Sequence, residues 1–213
     1  MVRRTRFYYN HAVYHICIRG NNRQAILKAD EDKKSFIDTL NKFKERFGFK
    51  LYGFVLMDNH VHLVVETNQI ANISKIMQAI TLSYSQKFRH CYNYTGYVWQ
   101  GRFKSNIIEE DSYILECLEY IHNNPVRAMM VEYPKDYPWS SYHFYNSKIN
   151  PLSKIIQLDM FSFWFGDSSI VSYWYYWTKI ETVLRFFEIL KPKIGHFYFA
   201  NNRTFLPCYR TKK

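Results

Sequence analysis

The sequence predicts an α+β fold of the ferredoxin-like (RRM-like) type, in which two helices pack on one face of an antiparallel four-stranded sheet. Segments rich in β-forming residues alternate with segments whose apolar residues recur at helical spacing. Their order is βαββαβ, and a third helix follows that would lie across the open face of the sheet. The 213 residues, 47% hydrophobic and 22% charged, suit one globular domain with an appendage.

The first half of the pattern is a strand, a helix and a hairpin. Residues 13–19 are rich in β-formers and end at a Gly-Asn-Asn turn. Acidic residues 30–32 begin a helix, because carboxylates stabilise the positive end of the helix dipole, and Gly48 ends it. Residues 50–57 and 60–66 form two strands joined by an Asp-Asn turn.

The second half repeats the helix and strand and adds the third helix. An apolar stripe predicts a helix over residues 70–92, and residues 98–108 form the last strand. Residues 109–112 cap the third helix, which runs to about Asn124 and is stopped by Pro125.

The chain after this pattern has a different character. Residues 161–165 and 173–177 are aromatic clusters without clear periodicity. We therefore expect a domain over 1–145 and a basic, aromatic-rich C-terminal tail of unknown role over 146–213. Because the core pattern is complete before the tail, a chain ending near Ser147 is expected to fold.

The charge predicts a polyanionic partner. Lys and Arg number 29 against 18 Asp and Glu, which gives a net charge of +11. Nucleic acid is the simplest partner of such a surface, although a basic solvated surface is an open alternative. The sequence shows no apolar run long enough to span a membrane and no signal-peptide core, so we expect no membrane association and a cytoplasmic protein.

Two histidines form the sharpest local motif. His60 and His62 stand two residues apart on a predicted strand, so both side chains face the same side of the sheet. Two imidazoles at this spacing can ligate a divalent metal or bind a phosphate. Two exposed polar residues would give the same pattern.

The third helix carries a second motif. Tyr120 and Asn124 are separated by four residues and therefore share a helix face. A tyrosine hydroxyl, with a pKa of about 10, is a poor nucleophile near neutral pH unless a metal polarises the phosphate under attack. A half-buried aromatic and a helix-ending Asn before Pro are the structural alternative.

The two motifs occur in order with three further stretches: Trp99-Gln100-Gly101-Arg102-Phe103, Asn124-Pro125-Val126-Arg127-Ala128 and Tyr137-Pro138-Trp139-Ser140-Ser141-Tyr142. Together they resemble the single-tyrosine HUH transposases, and most closely the REP-associated tyrosine transposases. The resemblance covers residues 8–145 in collinear order, whereas residues 146–213 match nothing in that family.

The resemblance implies a metal-dependent DNA strand-transfer reaction. His60, His62 and Asn124 would hold Mg²⁺ or Mn²⁺, and Tyr120 would attack the phosphate. The products would be a 5′-phosphotyrosine and a free 3′-OH, and a second 3′-OH could then rejoin the strands. The implied partner is single-stranded or hairpin DNA of the REP type.

Basic residues are candidates for DNA contacts. Arg102 and Lys104, on the predicted last strand, could bind phosphates, and Arg3, Arg4 and Arg6 could form an N-terminal arm. His122 lies two residues from Tyr120 and should point elsewhere on the helix, either behind the metal ligands or at the surface.

Two other functions compete with the enzyme. A non-catalytic module could bind single-stranded nucleic acid on its sheet, with His15 and Tyr52 as stacking residues. A degenerate transposase would fold and be inactive. The combination of His60, His62, Tyr120 and Asn124 argues against both, since neither needs it. The oligomeric state, monomer or homodimer, is left open by the sequence.

Overall fold

Strands and helices follow the predicted order. The computed structural model describes residues 9, 11–109, 111–146, 152, 156, 158 and 159. The elements are β1 Val13–Arg19, α1 Asp30–Phe47, β2 Lys50–Leu56, β3 His60–Glu66, α2 Ile73–Tyr92, β4 Lys104–Ile108, α3 Asp111–His122, α4 Asn124–Arg127 and α5 Tyr142–Asn146. The predicted arm of Arg3, Arg4 and Arg6, part of the predicted α3 cap, and the aromatic clusters of the tail lie outside the described residues.

The four strands form one antiparallel sheet in the order β2-β3-β1-β4. This order places β1 and β3, neighbours in space but not in sequence, at the centre of the sheet. It is the ferredoxin-like arrangement, and it confirms the predicted α+β fold.

The two faces of the sheet differ in character along β1. Tyr14, Ile16 and Ile18 are buried on the face that builds the core with α1 and α2. The alternate residues His15, Cys17 and Arg19 are only partly buried and face the opposite side. The strand therefore brings polar and titratable side chains to the face that the first two helices leave uncovered.

The last strand is shorter than predicted. β4 begins at Lys104, not at residue 98, and the segment before it is a loop. The Trp99 indole donates to the Thr81 carbonyl over 3.0 Å, and Gly101 adopts a left-handed conformation with φ of 70°. Anchoring of the aromatic ring inside the loop outweighs the β-propensity of these residues, so Arg102 lies in a loop and not on the strand.

Helix α3 lies directly on the second face of the sheet. A Cβ atom at Gly53 of β2 would come within 2.3 Å of Leu118 Cδ2, so only glycine permits this close approach. The register of β2 and β3 also shifts between Leu51 and Gly53, as in a β-bulge. The helix that carries Tyr120 is thus seated against one glycine of an irregular strand.

The segment after α4 connects α3 to β2, at the edge of the sheet. Ser140 forms an isolated antiparallel bridge with Val55 of β2. The Ser141 amide donates to the Phe54 carbonyl over 2.9 Å, and the Ser141 hydroxyl accepts from the Phe54 amide over 2.8 Å. The same hydroxyl lies 2.6 Å from Nε2 of His122 on α3. One serine therefore connects β2 to the end of the helix.

Packing on the domain continues past residue 145. Leu152 and Ile156 are buried, and Asp159 accepts from the Leu51 amide over 2.8 Å and pairs with Lys44 over 3.0 Å. All described residues belong to one compact unit of the chain. The domain boundary after residue 145 stays a prediction, which a truncation can test.

Truncation at Ser147 is expected to lower stability relative to a chain ending at residue 160. Loss of the buried Leu152 and Ile156 side chains removes about 1.5–3 kcal/mol of hydrophobic stabilisation each. Urea unfolding of the two proteins measures the difference, and equal midpoints and slopes would show that the segment does not support the domain.

The described residues contain no helix that is both long and apolar enough to cross a membrane.

Candidate active site

Three strands present a row of reactive side chains beneath α3. In the sheet register Cys17 lies opposite His62, Arg19 lies opposite His60, and Lys104 lies opposite Cys17 on the other side. Directly opposite residues face the same side of a sheet. These five side chains therefore share the face that α3 crosses.

The structure brings the three principal predicted residues together. The His60 and His62 ring centroids are 5.1 Å apart, with the rings nearly perpendicular. The Tyr120 ring meets His62 edge-on at 5.9 Å between centroids. The i, i+2 spacing on β3 and the close seating of α3 together produce this cluster within a single chain.

His15 is a member of the cluster that the sequence motifs did not assign to it. Its ring is stacked on that of His62, with centroids 5.1 Å apart and 17° between the planes. Nε2 of His15 is 2.9 Å from Nδ1 of His62, and the His15 ring also meets Tyr120 at 5.9 Å. The alternation of β1, which puts His15 on the same face as Cys17, is the signal that could have found it.

All three imidazoles are neutral near pH 7. Burial lowers the pKa of His15 to about 4 and, together with the nearby Arg19 charge, lowers the pKa of His60 to about 4. The pKa of His62, which is only 4% exposed, is lowered well below its ordinary value, mainly by burial. Neutral imidazole is the form that ligates metals, so these ligands need not lose a proton first.

The hydrogen bonds determine which nitrogen atoms can act as ligands. The Asn59 side-chain oxygen lies 2.6 Å from Nδ1 of His60 and accepts a hydrogen bond from it, so the proton is on Nδ1 and the lone pair is on Nε2. For His62, Nδ1 is engaged by His15, and Nε2 lies 4.0 Å from the Cys17 sulfur. Each predicted histidine ligand is thus oriented through Nδ1, as is usual around protein-bound metals.

Asn124 is placed one helical turn after Tyr120, as the spacing predicted. Its amide nitrogen donates to the Tyr120 carbonyl over 2.9 Å and to the Ile121 carbonyl over 3.3 Å. The amide oxygen is therefore the remaining donor of electrons to a cation. The described residues contain no set of three His, Cys, Asp or Glu side chains able to hold a metal, and the role of Asn124 as the third ligand stays a prediction. Imidazole and amide oxygen suit a divalent ion of borderline hardness such as Mn²⁺.

Two arginines that the sequence did not assign to the site act on Tyr120. The Arg127 guanidinium carbon lies 4.8 Å from the centroid of the Tyr120 ring. Burial raises the pKa of the Tyr120 hydroxyl, whereas the positive charges of Arg127 and Arg19 lower it. The pKa of Tyr120 is raised on balance, so the two positive charges offset the effect of burial only in part.

The basic residues that were predicted to contact DNA lie in different parts of the chain. Lys104 begins β4, is exposed, and lies on the active-site face opposite Cys17. Arg102 is exposed in the preceding loop. Arg3, Arg4 and Arg6 lie outside the described residues, so their role stays a prediction.

His122 was expected behind the metal ligands or at the surface, and this expectation is wrong. The side chain is fully buried on the side of α3 that faces Ser141 and the Tyr142 ring. Burial lowers its pKa to about 3. The residue secures α3 to the chain segment that follows it.

We expect His122 to make stability fall in acid. The unfolded histidine takes up a proton as the pH falls below about 6.5, whereas the buried one resists protonation until a pH of about 3. The His122→Gln variant should therefore show a slope of unfolding free energy against pH that is smaller by about 1.4 kcal/mol per pH unit near pH 5.

Chemical denaturation between pH 4 and 7 measures this slope. His90→Gln, on an exposed position of α2, is the matched control and should keep the wild-type slope. Identical slopes for the wild type and His122→Gln would contradict the assignment.

Known proteins resemble this chain in sequence. The profile of the family described as "Transposase IS200 like" matches residues 8–124, more than half of the chain. A Haemophilus influenzae protein named as a REP-associated tyrosine transposase is 28% identical over 136 residues, covering 55% of this chain and 77% of that protein.

One solved structure shares the fold, and a second is a weaker match. One, described as a REP-associated tyrosine transposase bound to a REP hairpin, has a TM-score of 0.58 and 21% identity, covering 78% of this chain and 93% of that chain. Another, a Deinococcus radiodurans protein described as a transposase, has a TM-score of 0.41 and 19% identity, covering 57% of this chain and 97% of that chain. The family profile establishes membership, and the chain belongs to the IS200-like transposase family.

Proposed function

We propose that this protein is a metal-dependent single-strand DNA transesterase, which cleaves and rejoins DNA through a covalent bond to Tyr120. The observation that carries the proposal is the contact of Tyr120 with His62 in one chain, with His60 beside it. Membership of a transposase family supports the same conclusion. A binding protein would not need a tyrosine, two neutral imidazoles and an amide in this arrangement.

The chemistry follows from the groups around Tyr120. A lone pair of the Tyr120 oxygen forms a bond to phosphorus while the bond from phosphorus to the 3′ oxygen breaks. The phenolic proton is lost to solvent, and the 3′ oxygen leaves with the bonding electrons and gains a proton. His60, His62 and Asn124 would hold a divalent cation, which when bound would polarise the phosphate.

One phosphorus–oxygen bond forms for each one that breaks in this reaction. The 5′-phosphotyrosine retains the energy of the original linkage, so that attack by another 3′-OH reverses the step and joins a new strand. His62 is buried and Tyr120 is partly buried, which would limit the access of water that could otherwise hydrolyse the intermediate.

The proposed DNA is single-stranded or contains a hairpin. The relative described as bound to a REP hairpin supports this partner, as does the net charge of +11. Lys104 is exposed on the face of the candidate site, and Arg102 is exposed in the loop before β4, so both can bind phosphates. Arg3, Arg4 and Arg6 are proposed to extend the contact. Cytoplasmic location and oligomeric state stay predictions.

Incubation with labelled single-stranded oligonucleotides from the flanks of the gene tests the proposal. With Mn²⁺, a protein–DNA adduct should resist denaturation, and EDTA should prevent its formation. Blunt duplex should compete poorly, because Tyr120 must reach an unpaired backbone. If binding occurs but no oligonucleotide gives an adduct, the protein binds DNA without cleaving it.

The non-catalytic alternative is less well supported by the residues it requires. Tyr52, a proposed stacking platform, is buried and its hydroxyl is hydrogen-bonded to Glu66. His15, the other platform residue, is stacked on His62 beneath α3. Neither ring presents an open face on which a base could stack.

A further inference from the structure

The guanidinium of Arg127, on the short helix α4, lies over the ring of the candidate nucleophile Tyr120. Arg127 ends α4, and its guanidinium lies over the Tyr120 ring at 4.8 Å. Pro125 is buried at the start of α4, and the Arg127 amide donates to the Asn123 carbonyl over 3.0 Å. The backbone that presents Arg127 is therefore held in place, while the side chain itself is exposed.

The chemistry of the guanidinium suits a second contact in this position. When its flat face lies on an aromatic ring, the N–H donors project sideways in the plane and can bind a phosphate. In the part of the chain that the structure describes, no carboxylate pairs with Arg127. Its donors are thus free to meet an anion that approaches Tyr120 from solvent.

This inference rests on the proposed function. We propose that Arg127 is a further catalytic residue, whose guanidinium binds a non-bridging oxygen of the phosphate that Tyr120 attacks. During the attack a bond forms between the Tyr120 oxygen and phosphorus, and the bond to the 3′ oxygen breaks. Negative charge grows on the non-bridging oxygens in this step, and a preorganised charged donor stabilises it more than it stabilises the bound substrate.

Arg19 is not an equivalent candidate. It lies on β1 opposite His60 and is partly buried in the sheet, so its charge acts mainly on the histidines. Arg127 lies over the Tyr120 ring and is exposed to solvent. The two arginines would therefore contribute to different steps, and only Arg127 is placed to bind incoming DNA.

Single-turnover adduct formation with excess protein and Mn²⁺ tests the proposal. The substrate is the hairpin oligonucleotide that the wild type cleaves, with its normal linkage or with either methylphosphonate diastereomer at the scissile position. R127A should react about 100-fold more slowly on the normal linkage. R127K, which keeps the charge but loses the planar fork, should lie between R127A and the wild type.

The matched control is Lys135→Ala. Lys135 lies over the Tyr133 ring at 5.0 Å, a similar cation–aromatic pair outside the cluster, and its removal should leave the rate unchanged. A methyl group replaces one non-bridging oxygen in each diastereomer. The diastereomer that lacks the oxygen bound by Arg127 should reduce the difference between wild type and R127A to a few-fold.

The outcomes are distinguishable. Equal rates for R127A and the wild type on the normal linkage would overturn the proposal. Equal slowing of R127A on all three substrates would also overturn it, since Arg127 would then only hold the Tyr120 ring. Absence of a wild-type adduct would instead contradict the proposed function. Thermal unfolding confirms that the variants are folded, and R127K supplies the comparison if R127A is not.

Discussion

Replacement of Tyr120 by Phe is expected to abolish the covalent protein–DNA adduct, with a loss of about 1000-fold or more. The substitution removes one oxygen and retains the ring that contacts His62 and lies under Arg127. DNA affinity should therefore stay near the wild-type value. Denaturing gels with end-labelled oligonucleotide measure the adduct, and fluorescence anisotropy measures binding.

Tyr97→Phe is the control for this prediction. Tyr97 is 79% exposed in the loop before β4, and its loss of a hydroxyl should not change the yield of adduct. A Tyr120→Phe protein that still forms the adduct would place the nucleophile elsewhere. Mapping of the labelled peptide by mass spectrometry would then identify it.

Replacement of His60 or His62 by Ala is expected to remove adduct formation and to weaken binding of Mn²⁺. Both imidazoles are neutral and oriented through Nδ1, so each loss removes a preformed ligand. Isothermal titration with Mn²⁺ gives the affinity independently of activity. His90→Ala on the exposed face of α2 should alter neither quantity.

The two histidine variants should differ in stability. His62 is buried and bonded to His15, so His62→Ala leaves a polar partner unsatisfied and costs about 1–3 kcal/mol. His60 is partly exposed, and its removal should cost less. Unchanged Mn²⁺ affinity in both folded variants would exclude these residues as metal ligands.

The sequence predicted the fold and pointed to side chains that cluster beneath α3, whose roles in cleavage stay predictions, because both depend on short-range patterns. Alternation along β3 puts His60 and His62 on one face of the sheet. Asn124, at the start of α4, follows Tyr120 by four residues, and its amide donates to the Tyr120 carbonyl. The contact between the histidines and Tyr120 depends on tertiary structure, so local patterns could not predict it. The family resemblance was the only indication of it. The C-terminal end of α1 was also predictable from a local signal, since Gly48 takes the left-handed conformation that ends a helix.

The residues that the sequence analysis missed reach the site, or the segment behind it, through tertiary contacts. His15 reaches His62 because β1 pairs with β3, 47 residues away in the chain, and no motif spans that distance. Arg127 reaches Tyr120 from α4, a separate short helix that the sequence analysis did not predict. His122 was misplaced because its burial depends on Ser141, which approaches only when the following segment pairs with β2.

The position of Tyr120 beside His62 also bears on how many protein molecules one cleavage would need. Nucleophile and candidate metal ligands come from the same polypeptide, on a helix that Ser141 fastens to its own sheet. In the proposed reaction, a single molecule would therefore supply both the nucleophile and the two candidate histidine ligands for one cleavage. Pairing of two molecules would serve a separate purpose, such as keeping two DNA ends near each other between cutting and joining.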